Sequence, residues 1–317
     1  MKRQVRRSGL TMPVVTARFV DKAWQRGCDF VTLDLEDSVP QHLKAHARSL
    51  IRDAIPKIEK GGAEPFTRIN HDTMREDTEA VVWPGLKRIK YPKTETADEV
   101  RALDALITKL EQERGIVPGT VEIDASIETA TGVANVFEIA AASPRIREFG
   151  VSVSGYDLSR DLGVEMFVDF DQFMYCRGEG ELAARTLGLG VRNAPFIPNK
   201  SGSVSDGNRA LRQAESQRKC GLRVGTGGLN PAVVESHNVG FTPTEDEVRE
   251  AKQVLDDYAK VEAAGEAWME IEGRVIDRYE AERARELIEW AQACAERNRE
   301  KAEAVARTKA LEEAQKR

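Results

Sequence analysis

Residues 30–39 read Phe30-Val31-Thr32-Leu33-Asp34-Leu35-Glu36-Asp37-Ser38-Val39. The stretch opens as a short β-branched and apolar run, which predicts a strand, and closes on carboxylates. An amphipathic stretch, Lys44 to Ile55, follows, and then a second apolar run, Phe66 to Asn70. Strand, helix, strand is the βαβ unit of a parallel sheet. The alternation continues outward in both directions. Further strands are expected at Ser8 to Pro13, Arg88 to Tyr91, Val121 to Ile127, Gly150 to Ser154, Leu189 to Arg192 and Leu222 to Gly225. Helices are expected at Arg18 to Arg26, Ala97 to Arg114, Val133 to Ala142 and Phe170 to Leu187. Eight strand–helix units in about 230 residues fit a closed (β/α)8 TIM barrel, and an open doubly wound sheet has the same local pattern. No G-x-G-x-x-G follows the first strand, which favours the barrel.

The character changes near Thr242, so residues 1–240 are expected to form the barrel and 241–317 a C-terminal helical lid and tail. Thr244 with Glu247 three positions on is a capping box opening a helix to about Ala263. Gly265 and Gly273 bracket Trp268-Met269-Glu270-Ile271, a strand or hairpin. Asp277 precedes a last helix whose balanced charge reads as a solvated, fraying tail.

At 317 residues with 41% hydrophobic and 32% charged side chains, the chain has globular composition. No run is long enough to span a bilayer, and Met1-Lys2-Arg3-Gln4 leads into charge rather than a signal sequence. The four scattered cysteines are expected to be thiols, which places the protein in the cytoplasm. A formal net charge of -6 with no basic block argues against nucleic acid. Membrane and nucleic-acid partners are therefore excluded, leaving small-molecule chemistry.

In a barrel that chemistry gathers at the carboxyl ends of the strands. Glu36 and Asp37 end one strand and demand a compensating cation. Arg68 ends the next, and its guanidinium fork suits a carboxylate or a developing oxyanion. Lys93 follows a third, while Ile127-Glu128-Thr129 and Gly155-Tyr156-Asp157-Leu158 each set one carboxylate after an apolar run. A single acidic strand end also looks like a helix N-cap or a supporting ion pair. Taken together, oxygen ligands without nearby His or Cys suit Mg²⁺. Lys44 and Arg48, at i and i+4, are expected to neutralise the preceding carboxylates. His42 and His46 read as an exposed helical pair, and no G-x-S-x-G marks a serine nucleophile.

Arg7-Ser8-Gly9-Leu10, Pro13, Lys22-Ala23, Leu33 to Pro40, Lys44 with Ala47-Arg48, Arg68-Ile69-Asn70, Pro92-Lys93, Ile127-Glu128-Thr129, Ser143-Pro144-Arg145 and Asp157-Leu158 resemble the citrate lyase beta-subunit family, which includes malyl- and citramalyl-coenzyme A lyases. Phe241-Thr242-Pro243 and Gly273 to Asp277 extend the resemblance, which runs from about residue 6 to 290. It implies a barrel with a C-terminal lid, Mg²⁺ dependence and chemistry at a carbon–carbon bond next to an acyl thioester. By that resemblance Glu128 and Asp157 are the metal ligands and Arg68 faces the thioester oxygen. Glu36 supports the metal, as do Lys44 and Arg48 from further back. Asp37 joins Arg68 and Asp277 among the catalytic side chains. Asp277 is expected to reach a neighbouring subunit as acid–base group, which implies a homo-oligomer, a trimer or hexamer.

Some positions depart from the family pattern. Val14 replaces a glycine, and Val15-Thr16-Ala17 replaces a stretch associated with the coenzyme A phosphates, leaving Arg18 with Lys22 as its basic contacts. Leu229-Asn230-Pro231 stands for Ile-His-Pro, and an expected Asp is lost around Asn199. Thr226-Gly227-Gly228 reads as a turn or a phosphate cradle. Three functions follow: a lyase for malyl- or citramalyl-type thioesters, an aldolase releasing pyruvate from free hydroxy-oxo acids, and a subunit acting only with an acyl-carrier partner.

Overall fold

The computed structural model describes residues 4–151, 156–165, 172–192, 206–225, 227–228 and 230–315. Its strands are β1 Gly9–Pro13, β2 Phe30–Asp34, β3 Glu64–Arg68, β4 Arg88–Tyr91, β5 Glu122–Ala125, β6 Glu148–Phe149, β7 Gly190–Val191, β8 Gly227–Gly228, β9 Trp268–Ile271 and β10 Arg274–Asp277. From β1 to β5 each strand pairs in parallel with its successor, and one rung reads Pro13, Asp34, Arg68, Lys90, Asp124. β6 pairs with β7, and a parallel bridge between Ile127 and Val151 links the chain after β5 to the chain after β6. β1 also pairs with β8. First strand beside last, with the others following in sequence order, is the circuit of a barrel; a doubly wound sheet reverses at a switch point.

Residues 152–154 of the sixth expected strand, 170–171 of the helix expected from Phe170, and Asn199, Thr226 and Leu229 lie outside the described residues. Two expected helices are broken. Arg18 to Arg26 becomes Ala17–Val20 and a 3-10 turn Ala23–Arg26, and Val133 to Ala142 becomes Ala130–Ala134 and Val136–Ala140. Asn135, at the second break, donates through Nδ2 to Glu95 O at 2.9 Å.

Period-two alternation sends the two faces of each strand to different environments. Outward-facing Val31, Leu33, Ile89, Tyr91 and Ile123 join Ile51, Ile55, Ile58, Val100, Leu103 and Ile107 of the surrounding helices in one apolar core. Each such buried side chain contributes about 1.5–3 kcal/mol. The inward face is ionic at its lower end. Arg6 meets Glu64, Glu122 and Glu148 at 2.6–3.0 Å, and Arg88 meets Glu122 and Glu148 at 2.5 Å. Phe30 and Phe66 stack above, and both guanidinium groups lie over the Phe66 ring. Gly9 makes room for this layer, because a Cβ there would fall 2.1 Å from the Phe30 ring.

The C-terminal segment is a hairpin between two helices. Helix Glu245–Ala264 begins with the expected Thr244/Glu247 capping box. β9 and β10 pair antiparallel across Glu272-Gly273, whose positive φ values of 53° and 78° are those of a two-residue hairpin turn. The last helix, Arg278–Gln315, is not a solvated tail. Trp290 and Cys294 are buried against Val5, and the helix then crosses the amino-terminal ends of the first strands. Arg297 Nη2 donates to Asp29 O and Gly62 O at 2.7 and 2.8 Å. Lys301 Nζ reaches Gly27 O and Asp29 Oδ1 at 2.7 and 2.6 Å, and Thr308 Oγ1 reaches Lys60 O at 2.7 Å. The four cysteines are free, and no helix among the described residues is long and apolar enough to cross a membrane.

Candidate functional site

Asp34 and Arg68, last residues of β2 and β3, are register partners, so their side chains leave the barrel wall together. The guanidinium forks onto the carboxylate, Nε to Oδ1 at 2.7 Å and Nη2 to Oδ2 at 2.8 Å. Asp34 is fully buried and also accepts Ser38 Oγ at 2.5 Å, Ser38 N at 3.1 Å and Glu36 N at 3.1 Å. These donors hold the Asp34 carboxyl below the usual carboxylate range although burial pulls upward. The remaining guanidinium nitrogen, Nη1, lies 2.8 Å from Glu36 Oε2 and 3.3 Å from Asp37 Oδ2. Burial works against the Arg68 charge, yet Asp34, Glu36 and Asp37 outweigh it and raise its pKa.

Lys93 comes in from the next strand end. Its backbone is left-handed, φ 51°, a conformation uncommon for a side-chain-bearing residue and frequent where a site dictates the backbone. Nζ lies 2.6 Å from Glu36 Oε1 and 3.8 Å from Asp157 Oδ1. Glu128 completes the group. Burial first, then the neighbouring carboxylates Glu36 and Asp157, push its carboxyl up to about 8, against the pull of Lys93 and Arg68. Burial also raises Glu36, although Arg68 and Lys93 pull the other way.

Three carboxylates that cannot all hold charge comfortably, offering only oxygen donors, fit a hard divalent cation. Among the described residues no three His, Cys, Asp or Glu are grouped closely enough to hold a metal alone.

The other expected site residues fall elsewhere. Lys44 Nζ donates to Leu35 O, Glu36 O and Asn70 Oδ1 at 2.6–2.7 Å, so it fixes the backbone after β2 instead of neutralising carboxylates. Arg48 pairs with buried Asp77 at 2.5 Å, and Asp77 in turn accepts Asn70 N and Nδ2 at 2.7 Å. The neutralising charges at this strand end are Arg68 and Lys93. Arg18, on the short helix Ala17–Val20, and Lys22, between it and the 3-10 turn, are exposed, with Arg18 over the Phe19 ring. Asp277 accepts Glu280 N at 2.9 Å, capping the last helix, and among the described residues it has no hydrogen bond or ion pair with the strand-end group. His42 and His46 are exposed as expected. Lys93 stands at its strand end as the sequence suggests, whereas the anchoring roles of Asp34 and Ser38 emerge only from the fold. Their signal was polar residues two or four apart around a strand end.

Comparison with known proteins identifies the family and the fold. Residues 7–198 match the model of the HpcH/HpaI aldolase/citrate lyase family. The citrate lyase subunit beta of Leuconostoc mesenteroides subsp. cremoris is 31% identical, over 92% of this chain and 94% of its own. An L-malyl-CoA/beta-methylmalyl-CoA lyase of Cereibacter sphaeroides is 30% identical, over 86% and 90%. In fold, the chain resembles the CitE protein of Mycobacterium tuberculosis crystallised with magnesium, acetoacetate and coenzyme A. The TM-score is 0.71 at 22% identity, covering 92% of this chain and all of that one.

Proposed function

The chain belongs to the HpcH/HpaI aldolase/citrate lyase family, and on that premise we propose that it is a magnesium-dependent carbon–carbon lyase. It cleaves, or in reverse forms, a malyl- or citramalyl-type coenzyme A thioester, giving acetyl-coenzyme A and a 2-oxo acid. The observation that carries this reading is the pairing of a carboxylate-anchored Arg68 with the crowded carboxylates Glu36, Glu128 and Asp157. Glu128 and Asp157 would hold Mg²⁺, which when bound supplies Lewis-acid polarisation of the acid's 2-oxygen.

Arg68 is fixed before any substrate arrives, because two of its nitrogens are committed to Asp34. When the carbon–carbon bond breaks, its electron pair moves onto the acetyl carbon and the thioester oxygen, and the 2-hydroxyl would pass its proton to the Asp277 carboxylate of a neighbouring copy. The Nη1 edge is then a preorganised positive group where negative charge develops. Asp37 lies 3.3 Å from Nη1 and keeps that edge oriented toward the exposed side. Lys93 balances Glu36 so that the site does not carry three uncompensated charges. Asp277 would return a proton to the acetyl carbon, acting from a neighbouring copy in a homo-oligomer. Arg18 and Lys22 would meet the coenzyme A phosphates.

Thioester cleavage measured with Mg²⁺ and again with EDTA tests the reading, and equal rates would remove the metal's role. A second reading, pyruvate release from free hydroxy-oxo acids, draws on the segment after β1, where Arg18 and Lys22 are the exposed basic groups at hand. Turnover of the thioester alone eliminates it. Dependence on an acyl-carrier partner draws on the Leuconostoc relative's being named a subunit. An isolated chain that is fully active removes that alternative.

A further inference from the structure

Lys44 has an unfavourable charge for its place in the fold. It is the first residue of the helix Lys44–Glu59, where the positive end of the helix dipole disfavours a cation. Its ammonium is held instead by three neutral oxygens, Leu35 O at 2.6 Å and Glu36 O and Asn70 Oδ1 at 2.7 Å. All three belong to buried residues. An ammonium has three donors, so this cage saturates it. Carbonyl oxygens closing round one charge are also the donor set that replaces water around a monovalent cation.

Every wall of the cage is tied to Arg68. Asn70 follows it by two residues and is fixed by Asp77, while Leu35 N donates to Arg68 O at 2.9 Å. The third wall is the carbonyl of Glu36, whose carboxylate meets Arg68 Nη1 at 2.8 Å and Lys93 Nζ at 2.6 Å. Asp34 and Asp37, which flank Leu35 and Glu36, both bond Arg68 as well. Two consecutive carbonyls aimed at one point repel each other unless a cation lies between them. Without that cation the Leu35 and Glu36 carbonyls must turn apart, and the direction in which the Glu36 side chain leaves the backbone turns with them.

We propose that Lys44 is a positioning residue: through the Leu35 and Glu36 backbone it sets the Glu36 carboxylate, and with it the Nη1 edge of Arg68, and a small cation seated in the same cage can replace it. The effect on turnover rests on the lyase reading; the effect on Arg68 does not. The test is Lys44→Ala in the full chain at saturating Mg²⁺, with methylammonium chloride or, at equal ionic strength, tetramethylammonium chloride. Methylammonium offers three N–H donors and tetramethylammonium none. Lys44→Ala should lower kcat for thioester cleavage by about 10–100-fold with KM within about twofold, as expected for a reacting group displaced by about 1 Å. Methylammonium should recover part of that loss and tetramethylammonium none of it. The side-chain Nε–H resonance of Arg68, identified by its disappearance in Arg68→Lys, should move in Lys44→Ala and return with methylammonium. Lys44→Met keeps the packing of the stem, so the rate and the resonance can be read even if Lys44→Ala does not fold. Wild-type kcat with an unmoved Arg68 resonance in either variant, or a Lys44→Ala defect that both salts or neither relieve, overturns the proposal. A wild type that cleaves no malyl- or citramalyl-type thioester defeats the lyase reading, and the Arg68 resonance still decides this one.

Discussion

Arg68→Lys keeps the charge of the site and removes its geometry. The wild-type guanidinium makes two bonds to Asp34, at 2.7 and 2.8 Å, while a third nitrogen faces Glu36 and Asp37. An ammonium on a flexible stem cannot span both Asp34 oxygens and also present a donor on the opposite edge. At least one charge-assisted bond to a buried carboxylate is lost, about 1.5–3 kcal/mol. The unfolding free energy in urea should fall by about 2 kcal/mol, since Ser38 and the Glu36 amide still hold Asp34. The larger effect is on rate. Withdrawing a preorganised donor from a developing oxyanion typically slows turnover by about 10²–10³. The assay is steady-state thioester cleavage at saturating Mg²⁺, with urea melts on the same samples. Arg68→Ala supplemented with guanidinium ion should recover part of the lost rate. If Arg68→Lys retains kcat within about threefold, donor geometry at this position carries no catalysis and the argument from the Asp34 fork is wrong.

Glu128→Gln should cost little metal-free stability at pH 7, because a carboxyl with its pKa at about 8 is already mostly protonated there. It should, however, abolish the rise in melting temperature that Mg²⁺ gives the wild type, and an unchanged rise excludes Glu128 as a ligand. Glu148, held by Arg88 and Arg6 against its burial, sits at about 2 instead of 4.5. A depressed folded-state pKa means its contribution, about 3 kcal/mol, is present above 4.5 and lost as pH falls from there toward 2. Glu148→Gln should flatten that part of the stability–pH curve, and an unaltered curve assigns the acid sensitivity elsewhere. Asp29→Asn strips a buried acceptor from Arg7 and Lys301 and should destabilise by about 3–5 kcal/mol. Lys301→Met, which leaves Asp29 with Arg7, should mainly speed hydrogen exchange in residues 290–315; equal exchange would mean the helix is held without it. Mixing inactive Asp277→Ala and Arg68→Lys chains should restore activity if Asp277 acts in a neighbouring copy, and no recovery returns its role to helix capping.

The barrel was legible because its outward strand faces are apolar and its helices amphipathic, and that pattern survives in one sequence. The strand ends were legible as charge, since Asp34 to Asp37, Arg68 and Lys93 each follow an apolar run. Their wiring was not. Lys44 at i+4 from Arg48 looked like a neutralising pair, but the chain's path after β2 turns Lys44 onto backbone carbonyls and Arg48 onto Asp77. The ionic interior was hidden for a different reason. Arg88, Lys90, Glu122 and Asp124 alternate with apolar residues as solvent-facing residues of a half-exposed strand do, and only closure of the barrel buries them. The last helix misled through composition. Its docked stripe, buried Trp290, Cys294, Lys301, Ala304 and Thr308 with half-buried Arg297, has helical spacing, but half of it is polar and answers to carbonyls and a carboxylate beneath it. Hydropathy cannot register a face that docks by hydrogen bonds.

Filling the barrel with ion pairs is not the stable choice for its own sake, since well-packed apolar residues of similar volume are often as stable or more so. What the charges supply is orientation. An apolar layer under Arg68 would leave its stem free to change rotamer. The rung from Pro13 to Asp124 instead places a carboxylate, a guanidinium, an ammonium and a second carboxylate in fixed order. Each cation is confined between neighbours whose backbones are locked in parallel register. Asp34 is held by four separate donor groups, so Arg68 inherits a rigid reference point, and Glu36 and Asp37 are pinned by the same turn. A donor that must meet charge appearing for an instant during bond cleavage gains nothing from being strong if it is not already aimed. The energetic cost of the ionic interior is therefore best understood as the cost of that aim, and the apolar mantle outside the strands is what lets the fold sustain it.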